Sequence, residues 1–102
     1  MRIVFELPNE KKKELLPILE ADPYSKPSFA VNGYKLKDGI SLGEDKEKQY
    51  LYLKGPDAFQ PFAELKLKDL AVRAPKEVEA RIADKLDAED DAAAGGFGAI
   101  FG

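Results

Sequence analysis

Apolar and polar residues alternate from the first positions of the chain. Ile3, Phe5 and Leu7 share one side while Arg2 and Glu6 share the other, which predicts a strand over 2–7. Val4 on the second side marks this strand as an inner one. Pro8 ends it, and Asn9 is placed to cap a helix from about Glu10. Leu15, Leu16 and Leu19 form that helix's apolar face, Lys11, Lys12 and Lys13 its wet face, and Pro17 is expected to kink or restart it. In Phe29-Ala-Val-Asn-Gly-Tyr-Lys-Leu36, the pair Asn32-Gly33 predicts a two-residue hairpin. Its register would set Val31 opposite Tyr34 and Phe29 opposite Leu36. Asp38-Gly39 is a further turn, after which Ile40 and Leu42 are expected to continue the sheet.

Gln49-Tyr-Leu-Tyr-Leu-Lys54 alternates cleanly and predicts a strand, with Leu51 and Leu53 on one face and Tyr50 and Tyr52 on the other. A turn at Gly55-Pro56-Asp57 precedes a short helix whose buried side would be Phe59, Phe62 and Leu65. Pro61 fits only its first turn. Lys66 to Val72 reads as a strand, and Pro75 opens a last helix. Val78, Ile82 and Leu86 form a narrow stripe on that helix, and such a stripe is a candidate dimer contact. The expected fold is α+β: a small mixed sheet of about four or five strands, packed by two or three helices. Residues 1–86 form one domain, followed by a flexible C-terminal tail over 87–102.

The tail carries most of the functional signal. Asp87, Glu89, Asp90 and Asp91 are followed by alanines and glycines, and then by Phe97, Ile100 and Phe101. The last three stand at i, i+3 and i+4, on one face of a single helical turn. The glycines keep that turn from being stable alone, a pattern suited to ordering in a partner's groove. The four acids exceed the whole net charge of −3, so residues 1–86 net +1. This asymmetry marks an interaction tail.

Absent residue types narrow the chemistry. The chain has no His, Cys, Thr or Trp, and Ser only at 25, 28 and 41. That leaves no Ser-His-Asp or Cys-His arrangement and removes the favoured zinc ligands. The alternating Asp87, Glu89 and Asp91 lack the remaining positions of a calcium loop. The expectation is a non-enzymatic protein with no cofactor and no metal. The lack of cysteine, of a signal peptide and of a membrane-length apolar run points to the cytoplasm. Charged residues at 34% without cysteine follow a thermophile pattern. Lys35, Lys37, Lys46, Lys48, Lys54, Lys66 and Lys68, interleaved with Tyr34, Tyr50 and Tyr52, are candidate RNA-binding residues. The competing reading packs Tyr50 and Tyr52 under a helix and leaves the lysines as solvated edges.

Gly96-Phe97-Gly98-Ala99-Ile100-Phe101-Gly102, after its acidic, alanine-rich approach, resembles the C-terminus of archaeal ribosomal stalk proteins. Phe97 and Ile100 stand where that family has leucines, and Phe101 is the same. The resemblance covers only residues 87–102; nothing in 1–86 looks like the helical dimerisation domain of that family. It implies binding to translational GTPases or the ribosome, with Phe97, Ile100 and Phe101 entering an apolar groove and Gly98 and Ala99 permitting close approach. The body would then bind the ribosome or self-associate, for example as a regulator of idle ribosomes acting by dimerisation or anti-association. The alternative is a small homo-oligomeric binding or scaffold domain unrelated to translation, its tail packed on its own dimer.

Overall fold

The structure is a computed structural model describing residues 1–101, with side-chain surroundings for 1–91. It is an α+β fold around a four-stranded antiparallel sheet of order β2-β3-β1-β4. The strands are β1 (Arg2–Pro8), β2 (Lys35–Asp38), β3 (Lys48–Lys54) and β4 (Val72–Arg73). A 3-10 turn over Asn9–Lys11 leads into α1 (Lys12–Glu20); the other helices are α2 (Phe29–Asn32), α3 (Gly39–Leu42), α4 (Phe59–Leu67) and α5 (Lys76–Phe101).

The central pair follows the alternation in the sequence. β1 and β3 run antiparallel with Ile3 opposite Leu53, Phe5 opposite Leu51 and Val4 opposite Tyr52. Residues two apart share a face, and so do directly opposed residues. One face therefore carries Ile3, Phe5, Leu7, Leu51 and Leu53. It packs against Leu15 and Leu19 of α1, Phe29 of α2, and Phe59, Ala63 and Leu67 of α4. Phe29, Phe59 and Phe62 add edge-on and tilted ring contacts at 5.2–5.5 Å between centroids. The other face carries Val4, Tyr50 and Tyr52 and is covered by Ile82, Ala83 and Leu86 of α5 and Leu42 of α3.

Several expected elements take another form. The sheet is wholly antiparallel, not mixed, and the Asn-Gly hairpin is absent. Ser28 instead caps α2: its Oγ accepts from the Val31 N–H at 3.1 Å, and Gly33 closes the helix at φ +87°. Glycine adopts that angle without a Cβ penalty, so Gly33 serves a helix end rather than a turn between strands. Ile40 and Leu42 lie in α3, with Leu42 buried and Ile40 exposed. Asn9 caps no helix; its side chain donates to the Lys46 carbonyl and accepts from Gln49. α1 runs through the exposed Pro17. The buried side of α4 is Phe59, Ala63 and Leu67, while Leu65 is exposed. Of the expected strand over 66–72 only Val72 is in a strand, where it forms β4 with Arg73.

The helix across the tyrosine face

α5 is the element on which the candidate sites converge. Pro75 precedes its first residue, and the Glu79 N–H bonds to the Pro75 carbonyl at 2.8 Å. Ile82 and Leu86 are each 1% exposed and lie over Val4, Tyr50 and Tyr52. Val78 is partly buried against the same cluster. The stripe expected as a dimer contact is thus occupied by the chain's own sheet. Its narrowness reflects the small, tyrosine-bearing surface that it covers.

Polar groups of α5 finish the attachment. Glu79 accepts from the Val4 N–H at 2.9 Å and from Arg73 Nε at 2.5 Å and Nη2 at 3.0 Å. Burial alone would raise the pKa of Glu79, but the bonds from Arg73 and the Val4 N–H outweigh it and hold the carboxyl below its ordinary value. Arg81 grips Glu44 of the α3–β3 loop through two bonds of 3.0 and 2.9 Å, which lowers the pKa of Glu44. Lys85 donates to the Leu42 carbonyl at 2.5 Å.

Asp87, where the sequence places the start of the tail, lies inside α5 and touches the body. Its Oδ1 accepts from the Tyr52 hydroxyl at 2.9 Å and from Lys54 Nζ at 3.4 Å; its Oδ2 is 3.1 Å from Arg2 Nη2. Burial opposes ionisation of Asp87, yet the Tyr52 hydroxyl and the two cations together pull its pKa down. Arg2 also donates to Asp84 at 2.7 Å, its strongest partner, and to the Tyr52 oxygen at 3.4 Å, and its pKa is raised. Asp90 pairs with Lys35. The acidic run is therefore partly docked along the basic border of the sheet.

The candidate RNA-binding lysines divide between surfaces. Lys35 and Lys37 oppose Tyr52 and Tyr50, so they share the α5 face with Lys48 and Lys54. Lys48 bonds Glu6 at 3.0 Å, and Lys66 sits 5.7 Å from the Phe62 ring centre, on α4 across the sheet. Lys68 follows α4, and Lys46 lies in the loop before β3. Tyr50 and Tyr52 are each 3% exposed beneath α5, which leaves Tyr34 as the half-open ring of the three. Burial pushes the pKa values of the Tyr50 and Tyr52 hydroxyls up.

Two hollows adjoin this border. One of about 210 Å³ is lined by Asn32, Tyr34, Lys35, Tyr52, Lys54 and Asp90. A wider groove of about 640 Å³, lined by Pro27, Val31, Pro56, Ala58 and Phe59, meets the first at Asn32. Sequence reasoning missed both. Their walls come from segments far apart along the chain, such as Asn32, Tyr52 and Asp90, and no local pattern relates them.

The proposed anchors Phe97, Ile100 and Phe101, with Gly98 and Ala99, have side chains outside the described residues; the backbone of α5 is helical through Phe101. Among the described residues, no group of three or more His, Cys, Asp or Glu is placed to hold a metal ion. No described helix is long and apolar enough to cross a membrane. No protein-family model, curated protein or solved structure matches the chain.

Proposed function

We propose that this chain is a non-catalytic binding protein whose C-terminal helix presents a stalk-like apolar turn to a partner. The observation that carries this reading is the continuity of α5. One helix begins on the sheet at Lys76, is anchored by Ile82 and Leu86, and runs to Phe101. Helical backbone sets positions 97, 100 and 101 along one face, the arrangement by which an amphipathic turn enters an apolar groove. A helix anchored at one end also loses less freedom on binding than a free tail. The partner implied by the stalk resemblance is a translational GTPase, and the body would fix the position of the tail on or near the ribosome. The burial of Ile82 and Leu86 against the chain's own sheet supports the tail, rather than the α5 stripe, as the point of contact.

The test combines binding with stability. Deleting Gly96 to Gly102 should abolish capture of a purified archaeal translational GTPase and leave the melting temperature within about 2 °C, since surface changes usually stay within about 0.5 kcal/mol. Phe97→Ala and Phe101→Ala should each weaken binding by roughly 30-fold, as expected for an interface anchor worth about 2 kcal/mol. Unchanged capture after deletion would overturn the reading. So would a melting temperature lowered by 10 °C or so, which would make the segment part of the fold.

A further inference from the structure

We propose that Arg2, Tyr52, Lys54 and Lys35 form a binding site for a phosphate group, occupied in the free protein by Asp87 and Asp90 of its own helix. The inference goes beyond the tail reading and does not rest on it. The Asp87 carboxylate is received by a hydroxyl, a guanidinium and an ammonium at 2.9, 3.1 and 3.4 Å. Those donors come from β1 and β3, so the sheet fixes their spacing independently of the helix. An array of tyrosine hydroxyl, arginine and lysine is equally a receiver for phosphate oxygens. Lys35 extends the array along β2, where Asp90 neutralises it. Beside the Arg2–Asp87 contact, Lys35, Tyr52 and Lys54 also line a hollow of about 210 Å³, together with Asn32, the half-exposed Tyr34 and Asp90. A water molecule takes about 30 Å³ of liquid, so a phosphate group fits there.

The occupant is exchangeable. Up to Leu86, α5 is held by buried apolar side chains; from Asp87 on, its described contacts to the body are ionic and polar. Such partly exposed pairs are weak and screened by salt. A ligand bearing one or more doubly charged or serial phosphates competes for the same cations, and the 87–91 segment can move aside while Ile82 and Leu86 stay buried. The acidic run then acts as a built-in competitor that admits only ligands of sufficient charge.

The phosphate can come from a small anion or from an RNA backbone, and two arms separate these sources. Asp87→Asn/Asp90→Asn in the full chain is titrated against a fluorescein-labelled oligouridylate by anisotropy, and against inorganic phosphate by thermal shift. The double variant should bind the oligouridylate at least about tenfold tighter than the parent, with affinity falling steeply between about 50 and 200 mM salt. Adding Arg2→Gln and Lys54→Gln should remove the gain. A response to inorganic phosphate alone, lost with the same two changes, supports the site and assigns it to a small anion. Glu14→Gln/Glu20→Gln on α1 makes the same change in net charge on the opposite side of the sheet. An equal gain in that variant overturns the proposal, as does the absence of binding in both arms. Should the double variant fail to fold, Asp90→Asn alone serves: its side chain is 61% exposed, and the proposal requires a smaller gain that Lys35→Gln cancels.

Discussion

Truncating Leu86 tests the placement of α5 most directly. Leu86 is 1% exposed and belongs to the cluster formed by Val4, Tyr50, Tyr52 and Ile82. Leu→Ala changes in cores cost about 2–5 kcal/mol, the spread reflecting how far the surroundings collapse into the gap. Leu86 ends the buried stripe, and its neighbours Lys85 and Asp87 are exposed or half-buried. Partial relaxation is available there, so Leu86→Ala should cost about 2–3 kcal/mol. For a chain of this size, that corresponds to a fall of roughly 10–20 °C in melting temperature. The assay is thermal and urea unfolding followed by circular dichroism at two protein concentrations tenfold apart. Because the stripe packs within one chain, the loss should be the same at both. A loss under about 1 kcal/mol would show that Leu86 is not buried. A melting temperature that rises with concentration in the parent and not in the variant would return the stripe to a subunit contact.

Three further outcomes test the local arguments. A Cβ built on Gly39 lies 1.8 Å from the Asp45 carbonyl oxygen and 2.9 Å from that of Lys48. These are backbone atoms, so Gly39→Ala should cost about 3 kcal/mol in urea unfolding, and a neutral result would mean that the loop yields freely. Ser28→Ala removes the cap of α2 and should lower stability by about 1 kcal/mol; an unchanged protein would argue against the helix there. Glu79→Gln should cost about 1–2 kcal/mol at pH 7. Since the pKa of Glu79 is depressed in the folded state, its stabilisation is full above the ordinary carboxyl range and disappears as pH falls through the folded value. The difference between parent and variant should therefore shrink towards pH 3, and one that stays constant would show that the charge contributes nothing.

What the sequence disclosed divides along a physical line. β1 and β3 are legible because the purely apolar residues Ile3, Phe5, Leu7, Leu51 and Leu53 recur at every second position on the face that enters the larger core, while the other face is covered by α5. The segment 29–36 resembles a hairpin in sequence because a glycine of positive φ closes a helix as readily as it turns a hairpin. The discriminating residue was Ser28, one position before the apolar run, whose hydroxyl bonds the Val31 N–H. For α4 the expected side holds at Phe59 and Phe62 and fails at Leu65: Ala63 and Leu67 are buried instead, and a small alanine is undervalued by hydrophobicity counts. The stripe of α5 was legible as a stripe, but its destination was not. Of the two readings of Tyr50 and Tyr52, exposed partners for RNA or rings packed under a helix, the structure shows the second: their rings form the floor beneath Ile82 and Leu86, and the Tyr52 hydroxyl reaches the polar margin. The Arg2–Asp87 and Lys35–Asp90 pairs left no local trace, since each joins a strand to a distant turn of helix.

The acidic residues of α5 take on different roles according to where the sheet ends beneath them. Glu79 stands over the edge of β1, where β4 pairs only with Phe5 and Glu6, and its carboxylate replaces a missing strand by accepting from the Val4 N–H. Asp84 and Asp87 stand over Arg2 at the start of the same strand, and Asp90 over Lys35 on the edge strand β2. Cations along such edges discourage pairing with other sheets, but unneutralised they would also attract any polyanion. The helix answers both conditions with one row of carboxylates. Attachment along α5 thus begins with the Glu79 hydrogen bond at the sheet edge, continues through the burial of Ile82, Ala83 and Leu86, and ends in ion pairs at Asp87 and Asp90. Salt or a competing anion acts on the ion pairs, and those of Asp87 and Asp90 lie beyond the last buried apolar anchor, Leu86, on the side towards Phe97, Ile100 and Phe101.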